Sequence, residues 1–166
     1  MKKFNLMLLA TLVAIGLSGC FNPDKTVYEN TETMLEAALK DVSFVQAEKL
    51  SEMIESGTAP LAVIDVREPE EFEAGHIPGA INIPRGTLEF SNLLSNRRQT
   101  VVLYSNTHQR SVLSVKNLKL MKYGDVKVLE GGFEYWQDSF PEKVEEGPGS
   151  MQSSAPAQKP SGGCGD

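Results

Sequence analysis

The chain has 166 residues, and its 22 Asp and Glu residues outnumber its 16 Lys and Arg residues, which gives a formal net charge of −6. An acidic protein lacks the basic patches that nucleic acids and anionic lipid headgroups require. We therefore expect no nucleic-acid partner and no membrane contact through surface charge.

The first 19 residues have the three regions of a bacterial lipoprotein signal peptide. Lys2 and Lys3 form a positively charged start, and residues 4–17 form a mainly apolar segment that is too short to span a bilayer comfortably. Residues 17–20 read Leu-Ser-Gly-Cys and resemble the lipobox, whose cysteine is lipidated and becomes the mature N-terminus. We expect Cys20 to carry lipid and to attach the protein to a membrane.

This signal predicts an exported protein. Phe21, and not Asp, follows the cysteine, which resembles an outer-membrane signal. We expect the periplasmic side of the outer membrane in a cell with two membranes, and the outer face of the cell membrane otherwise. An ordinary signal peptide or a chance apolar start is the alternative. If Cys20 carries lipid, Cys164 is the only free thiol, and no internal disulfide forms.

Apolar runs and helical patterns alternate along the rest of the chain. Residues 20–41 are expected to be a spacer, in which 31–40 form a short helix that either packs on the domain or stands free as a stalk. The predicted strands are 42–45, 61–64, 81–83, 101–104 and 126–129, and the predicted helices are 47–55, 68–73, 87–94, 110–122 and 133–138. This alternation predicts an α/β fold with a mainly parallel central sheet.

A polar loop follows the apolar run 101–104 and leads into a helix. Ligands of parallel sheets bind at the carboxyl ends of the strands, which is where this loop begins. Successive backbone N–H groups of such a loop point at one spot, and the helix dipole adds partial positive charge there. The sequence therefore predicts an anion-binding loop formed by Ser105, Asn106, Thr107, His108, Gln109 and Arg110.

Four segments resemble, in the right order, the motifs of the rhodanese family. They are 65–72 (DVREPEEF), 75–84 (GHIPGAINIP), the loop 105–110 and 129–136 (LEGGFEYW). The resemblance covers residues 42–140 and implies a rhodanese-like domain, with helices on both faces of the sheet and sulfurtransferase activity. The family's active loop has Cys first, usually Gly fourth and Arg sixth; the residues at these positions here are Ser105, His108 and Arg110.

Ser105, at the position of the family's cysteine, changes the chemistry that the resemblance implies. A persulfide needs a sulfur atom, and a serine hydroxyl is a weak nucleophile without an adjacent base. We therefore expect a domain without standard persulfide transfer that binds a small oxyanion, a sulfur compound or a protein partner. Three alternatives stay open: sulfur transfer through Cys164, a structural protein with an inert pocket, and a designed serine in a parent sulfurtransferase with cysteine at 105.

His108 is the nearby candidate base for Ser105. A Ser105–His108 hydrolase requires that two side chains three residues apart in one tight loop face each other. The favoured interpretation is an exposed loop histidine that narrows or covers the pocket. A third interpretation is that His108 makes the anion site sensitive to pH.

Five residues are expected to support the loop. Arg110 is expected to anchor it, or to bind the anion through its planar guanidinium. Asp65 and Arg67 are expected to form a structural ion pair, His76 to make a structural hydrogen bond, and Glu130 to cap or hold the loop. With two histidines in the chain, a metal site has little support, and we predict no metal and no cofactor.

Residues 141–166 are predicted to be a disordered tail that is rich in Gly, Ser and Pro and ends near Cys164. One interpretation is a dispensable thiol. The other is a mobile nucleophile, because a flexible tail of this length spans about 25–30 Å and reaches a pocket on the same domain.

Overall fold

Strands and helices alternate along the chain in the computed structural model, which describes residues 28–91 and 96–149. Within these residues the strands are β1 Ser43–Val45, β2 Leu61–Asp65, β3 Ile81–Asn82, β4 Thr100–Tyr104 and β5 Asp125–Leu129. The α-helices are α1 Thr31–Leu39, α2 Ala47–Ser56, α3 Pro69–Glu73, α4 Gln109–Leu120 and α5 Gly132–Ser139. Short 3₁₀ helices cover Arg85–Phe90 and Pro141–Lys143.

The five described strands form one parallel sheet in the order β1-β5-β4-β2-β3. The central strand β4 is buried over its last four residues. Its sequence shows no alternation of polar and apolar residues, because helices cover both faces of the sheet. The predicted α/β fold with a mainly parallel sheet is confirmed.

Each face of the sheet has its own apolar core. On one face, α4 and the first 3₁₀ helix bury Val112, Val115, Leu118 and Leu88. On the other face, α2, α3 and α5 bury Leu50, Phe72, Phe133 and Trp136. The carboxyl ends of β2, β4 and β5 meet at one edge of this packed sheet, so the segments that follow them are held in place by the core.

The helix predicted for 31–40 is α1, and it packs on the domain. Leu35 and Ala38 lie against the core on the α4 face, and Lys119 of α4 donates a hydrogen bond from Nζ to the carbonyl oxygen of Asp41 at 2.5 Å. The stalk interpretation is therefore wrong. The folded domain begins near residue 31, ahead of the predicted start at 42.

The helix predicted over 87–94 is also corrected. A 3₁₀ helix covers Arg85–Phe90, and residues 92–95 lie outside the described ranges. The segment follows Pro84 and contains Gly86, and glycine disfavours a regular α-helix because of its backbone freedom. The other predicted elements are present, with boundaries that differ by one or two residues.

The ordered chain continues beyond the predicted end of the domain at 140. His76 and Glu145 form an antiparallel bridge with N–H to O distances of 2.8 and 3.0 Å, and the N–H of Gly147 donates to the Glu73 carbonyl at 2.8 Å. The indole Nε1 of Trp136 donates to the carbonyl of Lys143 at 2.8 Å. The prediction of a disordered tail is therefore wrong for residues 141–149.

Several predictions concern residues outside the described ranges. These are the signal peptide, Cys20, and the tail residues 150–166 with Cys164. Among the described helices, none combines the length and the apolar character needed to cross a bilayer.

Candidate functional site

The 105–110 loop connects β4 to α4 at the carboxyl end of the central strand. Ser105 is the first loop residue and is 1% exposed. Its Oγ donates to the carbonyl oxygen of Thr107 at 2.6 Å and lies 3.4 Å from both the amide nitrogen and the Oγ of Ser111. The Ser105 hydroxyl thus helps to hold the loop in its turn.

The backbone N–H groups of the loop are the second feature of the site. Within the described residues, none of the N–H groups of residues 106–110 donates to a protein acceptor. They precede α4 or lie in its first turn, and the dipole of this helix of 12 residues adds partial positive charge there. N–H groups without acceptors at the start of a helix are suited to an anion.

Helix α5 fixes the carbonyl side of the same loop. The N–H of Phe133 donates to the carbonyl of Ser105 at 2.8 Å, and the N–H of Glu134 donates to the carbonyl of Asn106 at 3.0 Å. Gly132 has φ +69°, and a Cβ there would lie 2.5–2.6 Å from the carbonyl oxygens of residues 105–107. Glycine is therefore required at this contact, both for its backbone conformation and for space.

Asp65 and Arg67 form a buried ion pair below the loop, at the end of β2. Arg67 Nη2 and Nε lie 2.6 and 2.9 Å from Asp65 Oδ2, with side-chain exposures of 4% and 0%. Arg67 Nη2 also donates to the Gly75 carbonyl at 2.7 Å, and its guanidinium lies 4.2 Å from the centre of the Phe133 ring. The pair is structural, since every charged group has a partner.

Asn106 links this pair to a second carboxylate. Its Oδ1 accepts from Arg67 Nη1 at 3.1 Å, and its Nδ2 donates to Glu71 Oε1 at 2.7 Å. Glu71 lies on α3, so this one side chain connects the loop to both β2 and α3. The amide thus restrains the start of the loop through two hydrogen bonds.

Arg110 belongs to the same network of polar side chains and forms a bidentate ion pair with Glu71. Its Nη1 lies 2.7 Å from Oε2, and its Nη2 lies 2.8 Å from Oε1. The hydrogen bonds from Arg110 hold the pKa of Glu71 at about 2, below the usual 4.5, and the pKa of Arg110 is raised in return. The structure thus joins Arg110 to α3, a contact that holds the end of the loop.

His108 and Ser105 do not form a catalytic dyad. The imidazole lies edge-on to Phe44 with ring centres 6.0 Å apart, while the Ser105 hydroxyl donates to Thr107. No hydrogen bond joins the two side chains within the described part of the chain. Thr107 and Gln109 are exposed, and Gln109 is the first residue of α4.

His76 and Glu130 lie outside the loop itself. His76 is 1% exposed, its Nδ1 lies 3.0 Å from the Phe72 carbonyl oxygen, and its ring stacks on Phe72 at 3.9 Å. The backbone N–H of Glu130 donates to the carbonyl of Val45, while its side chain is exposed. Among the described residues there is no group of three or more side chains that could hold a metal ion.

Two residues that hold the loop were given no such role by the sequence alone. Glu71 lies in the motif segment 65–72 and Gly132 in the segment 129–136, and neither was assigned a contact with the loop. The signals were present: an acid two residues after Pro69, and a Gly-Gly pair after a buried strand. Neither signal identifies the residue that is contacted, which lies 25 to 39 positions away along the chain.

Comparison with known families matches residues 46–139 to the rhodanese-like domain. The chain is 36% identical over 85 residues to YqhL, an uncharacterized protein of Bacillus subtilis, a match that covers 51% of this chain and 68% of YqhL. It is 34% identical over 96 residues to the probable adenylyltransferase/sulfurtransferase MoeZ of Mycobacterium tuberculosis, covering 57% of this chain and 24% of MoeZ.

Solved structures agree with this match. A Rhodopseudomonas palustris protein of unknown function, described as a possible tyrosine phosphatase, superposes with a TM-score of 0.61 at 27% identity, covering 69% of this chain and 94% of that one. A rhodanese-like domain protein of Staphylococcus aureus gives a TM-score of 0.55 at 28% identity, covering 63% and 98%. The fold, the parallel sheet and the matched residues together place this chain in the rhodanese-like domain family.

Proposed function

We propose that this protein is a membrane-anchored, exported rhodanese-like domain whose 105–110 loop binds a small oxyanion or sulfur compound without forming a persulfide. A protein partner is the other class of ligand for the loop. Cys20 carries the lipid, and the domain described by residues 28–91 and 96–149 stands outside the membrane.

One observation carries the binding proposal. The five N–H groups of residues 106–110 lack protein acceptors within the described residues, and they sit at the N-terminus of α4. Backbone donors do not depend on the side chain at position 105, so the loop keeps its affinity for anions when the cysteine of the family is absent.

The absence of persulfide chemistry follows from Ser105. Its oxygen replaces the sulfur that a persulfide needs, and its proton is donated to a backbone carbonyl and not to a base. A serine in this state is a weak nucleophile at neutral pH.

The membrane anchor rests on the sequence of residues 1–21. A positive start, a short apolar segment and a lipobox-like Leu-Ser-Gly-Cys support lipidation at Cys20. The test is the mass of the mature N-terminus after expression of the full chain in bacteria. We expect a diacylglyceryl cysteine at position 20, and Cys20→Ala is expected to release the domain from membranes. A mature protein that starts at another residue would contradict the anchor.

A second candidate function is sulfur transfer through Cys164. It is favoured by the relative MoeZ, whose name includes sulfurtransferase, and by the presence of a thiol close to the C-terminus. The carrier in this case is Cys164 of the same or a neighbouring chain, and the loop only positions the sulfur donor.

A sulfur-transfer assay separates the two candidates. Thiosulfate and cyanide are supplied to the chain from residue 21 onward, alongside Ser105→Cys and Cys164→Ala. We expect no activity in the parent chain and activity in Ser105→Cys. An active parent chain that Cys164→Ala inactivates would establish the second candidate.

Anion binding needs its own measurement, because the absence of sulfur transfer does not show that the loop binds a ligand. Thiosulfate is titrated into the ¹⁵N-labelled chain at constant ionic strength, and amide shifts are followed by NMR. We expect the largest shifts at residues 106–110. Shifts spread evenly over the surface, or none, would leave the loop without a ligand of this class and refute the proposal.

A further inference from the structure

We propose that Glu71 acts as an internal anion that keeps Arg110 from the ligand of the 105–110 loop and so lowers the affinity of the loop for oxyanions. The inference rests on the anion binding proposed above and adds the residue that limits it. It assigns Glu71 as a specificity-determining residue and not as a catalytic one.

The Glu71 carboxylate is bound as a ligand would be. Oε1 accepts from Asn106 Nδ2 at 2.7 Å and from Arg110 Nη2 at 2.8 Å, while Oε2 accepts from Arg110 Nη1 at 2.7 Å and from the N–H of Glu68 at 3.0 Å. Three of these four donors come from Asn106 and Arg110, which belong to the loop itself. The carboxylate therefore occupies groups that an oxyanion at the loop would otherwise use.

Arg110 is fully engaged by this contact. Both of its terminal nitrogens bind Glu71, and its positive charge is balanced by the same carboxylate. Glu68, the N-cap residue of α3, and Glu70, within α3, add further negative charge to the same segment. An anion that reaches the loop consequently meets backbone N–H groups and a helix dipole, but no free guanidinium.

The Glu71–Arg110 pair is exposed enough to be exchanged. The two side chains are 30% and 37% exposed, whereas the Asp65–Arg67 pair is at 0% and 4%. A pair in contact with water contributes little net free energy, so a ligand with better geometry can take its place. A pair without solvent contact does not exchange in this way, because separation leaves a charge buried.

The ligand class follows from this competition. To displace a bidentate carboxylate, an anion needs two oxygens at similar spacing and more charge than the carboxylate carries. Sulfate and thiosulfate, each with two negative charges, meet both conditions, and a monocarboxylate such as acetate does not. We therefore expect the parent chain to prefer dianions, and we expect a variant without the Glu71 charge to lose much of that preference.

The test compares three variants of the chain from residue 21, which keeps every described residue, by NMR titration with sulfate and acetate at constant ionic strength. Glu71→Gln removes the charge. Glu70→Gln is the matched control, because it removes one charge from the neighbouring exposed position, whose side chain makes no hydrogen bond within the described residues. The double variant Glu71→Gln/Arg110→Met tests whether a gain in sulfate affinity requires Arg110.

We expect Glu71→Gln to tighten sulfate binding about tenfold, since removing a negative charge within a few ångströms of the ligand has this effect at the dielectric of a protein surface. Acetate binding is expected to become measurable. Glu70→Gln is expected to change affinity less than about twofold, because an exposed and more distant charge is screened. The double variant is expected to return to the parent affinity or below it.

Two results would overturn the inference. One refutes only the role of Glu71, and the other also refutes the proposed anion binding. If the parent chain and Glu71→Gln bind sulfate at the loop with equal affinity, the loop binds anions but Glu71 does not limit it. If neither chain shows loop shifts, the proposed anion binding fails as well. Unchanged amide shifts of β4 and α5 in the absence of salt confirm that the variants are folded.

Discussion

Two arginine–carboxylate pairs hold the 105–110 loop, and they differ in burial and in the separation of their residues along the chain. Asp65–Arg67 joins residues two positions apart at the end of one strand and has side-chain exposures of 0% and 4%. Glu71–Arg110 joins two helices across 39 residues of sequence and is about one-third exposed. One pair is part of the packed domain, and the other lies at its surface.

The two pairs therefore differ in rigidity: the buried pair is fixed, and the partly exposed pair can exchange its partner. A buried pair is costly to break because one charge remains in a medium of low dielectric. A partly exposed pair is screened by water, and its net contribution is small. Asn106 contacts both pairs, so the loop is connected to a fixed support on one side and to an exchangeable one on the other.

The largest expected effect is on the buried pair. Arg67→Met leaves the carboxylate of Asp65 without its partner, and we expect a loss of about 3–5 kcal/mol in the free energy of unfolding. Urea denaturation monitored by circular dichroism measures it. The double variant Asp65→Leu/Arg67→Met removes both charges and is expected to recover part of the loss. A single variant as stable as the parent chain would contradict the structural role of the pair.

A smaller effect is expected at Gly132, which holds the loop through the backbone and not through charge. Gly132→Ala adds a Cβ within 2.6 Å of three carbonyl oxygens at a positive φ. We expect the free energy of unfolding, measured by urea denaturation, to fall by about 2–3 kcal/mol.

The matched control for Gly132 is Gly79→Ala. Gly79 also has a positive φ, +72°, but no atom lies within 4 Å of the added Cβ. This variant has the backbone strain without a steric clash, and its free energy of unfolding is expected to fall by about 1 kcal/mol. Equal losses at the two positions would mean that the close approach of α5 to the loop contributes nothing.

The smallest expected effect is on the exposed pair, and it depends on pH. Because Arg110 holds the pKa of Glu71 at about 2, below the unfolded value near 4.5, the folded state is stabilised above pH 4.5. This stabilisation falls as the pH drops toward 2. For a pair that is about one-third exposed we expect about 1 kcal/mol at neutral pH.

The measurement compares the unfolding free energy of the parent chain with that of Glu71→Gln from pH 7 down to pH 3. We expect the difference between them to shrink as the pH falls, and Glu70→Gln to show no comparable trend. A difference that stays constant over this range would show that the charge of Glu71 contributes nothing to stability.

The sequence predicted most of the local structure. Continuous apolar runs gave β2 and β4, and the polar stretch after β4 marked the loop. The 3₁₀ segment at Arg85–Phe90 was mistaken for an α-helix, because the apolar spacing of a short segment does not separate the two. The extension to residue 149 was missed, because Gly, Pro and acidic residues suggest a flexible tail while their backbone groups pair with α3 and His76.

The candidate site was predicted by position but not by its contacts. Arg110 was given two roles, as an anchor or as an anion ligand, and its bidentate contact with Glu71 is that of an anchor. Glu130 was expected to hold the loop, yet the loop is held by the N–H groups of the next helix, α5. A lone residue in a motif does not reveal the direction of its side chain.

The alternation of strands and helices, and the place of the loop at the end of a buried strand, could be read from the chain because they depend on local hydrophobic patterns. Which carboxylate meets Arg110 and which glycine touches the loop depends on the packing of segments that are distant in the chain. β4 pairs with β2 and β5, so the segments that follow these three strands lie side by side at one edge of the sheet. Contacts between residues 25 to 39 positions apart follow from that strand order, and no local pattern in the chain contains it.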